Sequence, residues 1–311
     1  MNAVRSTLRP IRFELVAVAL LAGVAIVIAG GSVARLLLFG IPKSCMTFEL
    51  SGAADCVRYA RAIAEYEEFL EASRSPALAA AIGLPVVAAL LAGVALVGKE
   101  IDQRTTVLAW SMAPSRARWL LLRVAPMLVA LGVFSLVAGG LVDLLFGLSG
   151  PGIDQAHDFV GLGLRGVPIL GIGVLVFGVS LLVGAVLGRV LPAVLLSGAL
   201  IATALFATAN VNERLLFADS VIADSYDPGD LPIDSLIRTP EGEIIGWAGA
   251  YDRYGPLFDQ GGPEAAGFTQ VWRIVRGSLY PWAAARLMLV DGALGLIAIT
   301  GAFVVVQRRR P

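Results

Sequence analysis

The chain has 311 residues, 57% hydrophobic and only 15% charged, with 24 basic against 24 acidic side chains and a mean hydropathy of +0.80. A soluble domain covers its surface with more polar groups than this, so the sequence is that of an integral membrane protein with no call for nucleic acid as a partner. Six stretches are apolar and long enough to cross ~30 Å of hydrocarbon at 1.5 Å per residue: 13–38, 77–98, 120–147, 166–188, 190–210 and 285–306. They are continuously apolar rather than alternating, which predicts helices whose backbone hydrogen bonds close internally. The expected fold is an all-α, six-span membrane protein forming one transmembrane domain over residues 1–311.

The N-terminus is basic (Arg5, Arg9, Arg12). The apolar run after it is too long for a signal-peptide core and ends in no A-x-A site, so 13–38 is expected to stay as the first helix. An outward loop, 39–76, holds the only two cysteines, Cys45 and Cys56. They are expected to form a disulfide if that face is oxidising, with free thiols as the other reading; no Cys/His spacing suits a metal. Within this loop "CVRYARAIAEYEEFLEAS" reads as a surface helix with a weak apolar stripe at Val57, Ala60, Ala64 and Phe69, ending before Pro76.

The second and third spans are joined by a polar island, "KEIDQRTTVLAWSMAPSRARW" (99–119). Ile101, Thr105, Leu108 and Met112 recur at helical spacing, Pro114 stops that helix, and Ser115 can cap the next one. Arg116, Arg118 and Trp119 then fall at headgroup level. A short helix lying across the membrane face and tied to two spans is a lever for anything that pushes on it. A basic loop between spans is also what the positive-inside rule alone produces.

Further on, "LSGPGIDQAHDFVGLG" is a turn-rich outward connection whose lone histidine, His157, between Asp154 and Asp158, reads as a surface hydrogen-bonder. "GRVLP" allows only a tight inward hairpin. Pro85, Pro126, Pro168 and Pro192 mark kinks or span starts, and Gly184 to Gly188 is a small-xxx-small pattern. The loop 211–284, rich in Asp, Gly and Pro, is expected to be an irregular outer cap. The sixth span runs into "QRRRP". Short connections on one side carry Lys99, Arg104, Arg116, Arg118, Arg123, Arg189 and Arg308 to Arg310, whereas the long loops are acidic, so both termini are expected in the cytoplasm.

Ionisable residues within the spans are Glu14, Arg35, Arg123, Asp143, Arg286 and Asp291. The arginines lie near span ends and can snorkel. Asp143 and Asp291, with no adjacent charge in sequence, either line an outward vestibule on a translocation path or are solvated at the interface. No phosphate-cradling GxxxxGK[ST], HExxH or GxSxG occurs, so the chain is not expected to be an enzyme.

The island resembles the loop between the second and third spans of the six-helix, type-2 permeases of ATP-binding-cassette (ABC) exporters. The matching positions are Glu100, Thr105 or Thr106, Val107 and Leu108, Pro114, Ser115 and Arg116; where that family usually has Gly, this chain has Arg104. The closing stretch, with Tyr280-Pro281-Trp282 before the last span and arginines after it, is similar too. The resemblance implies a cytoplasmic coupling helix, Glu100 to Met112, that docks on an ABC ATPase subunit. Glu100, Ile101, Arg104, Thr105, Leu108 and Met112 would meet that subunit, with Pro114 and Arg116 framing the helix. It further implies that ATP and Mg belong to that partner, and that a second permease copy, identical or homologous, completes the complex amid membrane lipid. An amphiphilic or hydrophobic compound would leave the cytoplasm across a bacterial inner or plasma membrane. An ion-coupled carrier and a scaffold or sensor acting through 211–284 are the other readings.

Overall fold

The structure, a computed structural model, describes residues 12–46, 54–103, 115–150, 153–258 and 267–309. Six helices among these are long and apolar enough to cross a membrane. We number the helices α1 (Arg12–Leu38, with one π turn at Ile26–Gly30), α2 (Ala60–Asp102), α3 (Arg116–Ser149), α4 (Pro168–Leu187), α5 (Val190–Ala218), α6 (Trp247–Phe258) and α7 (Tyr280–Arg308). The spans are α1 to α5 and α7. The chain divides into two compact units, one of 1–152, 163–209 and 284–311, the other of 153–162 and 210–283.

In the first unit α4 is the central rod. Its residues are apolar on every face and most are buried, which suits a helix surrounded by others. Glycines bring its neighbours to backbone contact. A Cβ on Gly178 would strike the Gly295 carbonyl of α7, and one on Gly93 of α2 would lie 2.7 Å from both the Phe177 carbonyl oxygen and Ser180 Cβ of α4. Gly184, from the small-xxx-small pattern, meets Val94 in the same way, while Gly188 instead ends α4 in a left-handed conformation (φ 64°). Pro168 stands at the start of α4, where its missing N–H costs nothing. Only Gly188 and Arg189 separate α4 from α5, the tight hairpin expected of "GRVLP".

The 39–76 segment departs from expectation. Instead of a separate helix ending before Pro76, α2 runs unbroken for 43 residues through Pro76 and Pro85, roughly 65 Å at 1.5 Å per residue. Its packed face is also not the expected stripe: Val57, Ala60 and Ala64 are exposed, while Cys56, Tyr66, Ser73 and Ala77 are buried. The Tyr66 hydroxyl donates to the Leu148 carbonyl at 2.7 Å, fixing this end of α2 to the end of α3. Cys45 and Cys56 are disulfide-bonded, with Cα atoms 5.4 Å apart, and both lie in a core with Val33, Leu36, Val142 and Phe146. We call this the disulfide end of the bundle.

The all-α expectation needs correction in the second unit, and so does the irregular cap. Four antiparallel strands, β1 (Val221–Ala223), β2 (Leu231–Arg238), β3 (Ile244–Gly246) and β4 (Thr269–Val275), form a sheet in the order β1-β4-β2-β3. Pro232 sits beside an irregularity in β2, outside the stretch Leu236–Arg238 that pairs with β3, so its missing donor breaks no ladder on that side. Helix α6 packs on the sheet through Ile237, Ala250, Phe268 and Tyr254. Asp230 organises the turn before β2, accepting the Gly277 amide (2.7 Å), the Asp227 amide (3.2 Å) and Arg276 Nη1 (3.3 Å).

Candidate functional site

The described part of the island comprises the end of α2, up to Gln103, and the start of α3, from Ser115. Arg104, Thr105, Leu108, Met112 and Pro114 lie outside the described residues, so the site is built from its two anchors. Gln103 closes α2, its amide donating to the Lys99 carbonyl at 3.0 Å. Ser115 is extended, and its hydroxyl accepts the Arg118 amide at 3.2 Å, the N-cap expected from its position after Pro114.

The anchors are tied together by charge. Arg123 Nη1 lies 2.5 Å from Glu100 Oε1, and its guanidinium stacks 4.3 Å from the centre of the Trp119 ring. Trp119 and Arg123 are four residues apart and so share one face of α3. Arg123 therefore does not snorkel to water as expected; it is buried in an ion pair between α2 and α3. Lys99 reaches the other way, to Glu14 Oε1 of α1 at 3.9 Å and over the Phe13 ring.

The last span closes the ring of contacts. Arg116 Nη1 donates to the carbonyls of Gln307 (3.2 Å) and Arg309 (2.6 Å), and Arg309 Nη1 donates to those of Ala185 (2.5 Å) and Val186 (3.3 Å). Arg309 thus satisfies carbonyls that α4 leaves open at its C-terminus, where the helix dipole favours a cation. Ile101 packs against Gly188, where a Cβ would overlap Ile101 Cγ2. The α2 anchor is consequently tied to the ends of α1 and α4, and the α3 anchor to the end of α7.

The two acids expected on a translocation path have different settings, and neither stands alone. Asp143 of α3 is half exposed and lies 3.9 Å from the fully buried Arg165. Arg165 belongs to a glycine-rich turn whose Gly166 amide donates to the Gly139 carbonyl of α3. Asp143, which has no adjacent charge in sequence, thus has a charged neighbour in space. Asp291 of α7 is buried and hydrogen-bonded to Thr208 of α5. Asp143 belongs to the disulfide end with Phe146, while Asp291 lies between α5 and α7, so the two do not form one site.

A family model described as "ABC-2 membrane transporter related" matches residues 13–212. This chain belongs to that family. No curated protein matches it, and no solved structure does either. Membership makes this ABC-2-related chain a membrane subunit of an ABC transporter, of a kind that is normally non-enzymatic and works with ABC ATPase subunits. The match contains the whole island and its two anchors and ends before the sheet. The resemblance of the last span lies beyond it.

Other residues of this ABC-2 chain went unread in the sequence. Arg165 gave only the signal of an arginine among glycines, and Arg309 that of a basic tail. His157 behaves as expected: its Nδ1 lies 2.7 Å from Asp154 Oδ2, and this bond, helped by the Ala156 amide, holds the Asp154 carboxyl below its usual range.

Proposed function

We propose that this chain is the permease of an ATP-driven exporter that moves an amphiphilic or hydrophobic compound out of the cytoplasm. In this reading residues 100–112 form a coupling helix seated on a cytosolic ABC ATPase, which binds ATP and Mg, and a second permease copy completes the membrane channel. Glu100, Ile101 and Arg116 anchor that helix, and Arg104, Thr105, Leu108 and Met112 meet the ATPase, with Pro114 ending it. Both termini and the Arg-rich ends of the spans face the cytoplasm.

One observation supports this most strongly: of the two ends of the segment that would receive force, one is tied to α1 and α4 and the other to α7, so displacing it displaces the bundle. Nucleotide binding does work on the permease only through a difference in affinity between two conformations. Asp143 and Asp291 are offered as polar points on the path.

The test is to purify the full chain from its own membranes and ask whether an ABC ATPase comes with it, then to reconstitute the pair. Leu108→Glu should leave the permease folded and its basal partner activity intact while abolishing stimulation by cargo. Unchanged stimulation, or uphill transport by vesicles holding this polypeptide alone, overturns the proposal.

A further inference from the structure

A groove of about 300 Å³ separates α1 from α2 near the island end, with Ala17 and Leu21 on one wall and Ala88, Ala92 and Ala95 on the other. The alanines of α2 fall at i, i+4 and i+7, one face of the helix. Their small side chains leave open a space that leucines would fill. Glu14 and Lys99 stand among its lining residues.

Glu14 is the informative residue. Its side chain is only 10% exposed, and Oε1 lies 3.9 Å from Lys99 Nζ. Oε2 is buried with no hydrogen-bond partner among the described residues. A carboxylate oxygen withdrawn from water without a donor is costly, so the arrangement favours a ligand that brings one. Lys99 is about half exposed and offers its own N–H donors beside that oxygen. The site therefore presents a hydrogen-bond acceptor, a cation next to it and an apolar slot, all on helices that span a bilayer.

We propose that this groove holds one phospholipid with a primary-amine headgroup from the adjacent leaflet. Its ammonium donates to the Glu14 carboxylate, its phosphate pairs with Lys99, and part of an acyl chain lies along Ala88, Ala92 and Ala95. A quaternary ammonium has no N–H to donate and satisfies Glu14 less well. The inference needs only that α1 and α2 cross a membrane, and it stands apart from whether the chain exports anything.

The test uses the full-length chain, without any ATPase, in nanodiscs of phosphatidylglycerol mixed with either phosphatidylethanolamine or phosphatidylcholine. Native mass spectrometry then counts the lipids retained. The wild type should keep one phosphatidylethanolamine about tenfold better than phosphatidylcholine. Glu14→Gln should erase that preference with the thermal midpoint unchanged, and Ala95→Leu, which narrows the slot, should lower retention of both lipids. If Glu14→Gln does not accumulate, Lys99→Gln serves instead and should weaken both lipids through the phosphate. Equal retention of the two headgroups by the wild type overturns the proposal. So does selective retention of phosphatidylglycerol, or a preference that survives both Glu14→Gln and Ala95→Leu.

Discussion

The Glu100–Arg123 pair permits a quantitative test of how the island is anchored. Its side chains are 19% and 10% exposed and its charged atoms 2.5 Å apart, so it behaves more as a buried pair than as a surface one. Removing one partner from such a pair leaves an uncompensated charge and costs about 3–5 kcal/mol, whereas removing both leaves mainly a loss of packing. Glu100→Gln and Arg123→Met should each destabilise by about 3 kcal/mol, and the double variant by no more than either alone, for a coupling of about 3 kcal/mol. At about 2 °C per kcal/mol for a long chain, each single variant should lower the thermal midpoint by about 6 °C. Thermal unfolding of the three variants in detergent, followed by intrinsic fluorescence, reads this cycle. A coupling below about 0.5 kcal/mol, the level at which independent sites add, would show that the pair does not hold α2 to α3.

Three further outcomes follow from other parts of the molecule. The Cys45–Cys56 bond closes a loop of sequence separation 11, and its loss in a Cys45→Ser/Cys56→Ser variant should cost about 3 kcal/mol, visible as a midpoint lowered to that of the reduced wild type. Gly178→Ala places a Cβ against the Gly295 carbonyl, whereas a Cβ on Gly198 of α5 meets nothing; the first should cost about 1–3 kcal/mol by overpacking and the second should leave the midpoint within about 1 °C. Asp154 has a folded pKa below its unfolded one, chiefly through His157, so its bonds are fully present above about pH 4 and fade as pH falls through the folded value. The protection of the Ala156 amide against hydrogen exchange, taken relative to its intrinsic rate at each pH, should fall along that descent, and His157→Ala should move the change to higher pH.

The sequence exposed whatever depends on one residue type at a time. Apolar length located the six spans, Ser115 after Pro114 located the start of α3, and Pro168 located the start of α4. Pro76 misled because an isolated helix in water stops near proline; here the Tyr66 bond to Leu148 and the disulfide hold the far segment in line with the rest of α2. The sheet was illegible for another reason. β2 and β4 are about 30 residues apart, and "LPIDSLIR" mixes a proline and two charges into its alternation, so no local window reports the pairing. Partners such as Arg123 with Glu100, or Arg165 with Asp143, depend on the rotational phase of whole helices about their axes, which hydropathy does not encode.

That phase also bears on how a push at the island would travel. In the proposed exporter, force reaching residue 102 acts on a 43-residue rod fixed at the other end by Tyr66 and the disulfide. Between those fixed points α2 meets α4 at Gly93, Gly98 and Gly184, where backbone rests on backbone. Interlocked side chains resist sliding because each must climb over its neighbour, and glycine contacts present no such steps. Small shear between packed helices is one of the ordinary modes of conformational change. In that proposed mechanism the glycine seam between α2 and α4 would be where the bundle yields, and the ties of Lys99 to Glu14, Arg123 to Glu100 and Arg116 to the end of α7 would make α1, α3 and α7 follow.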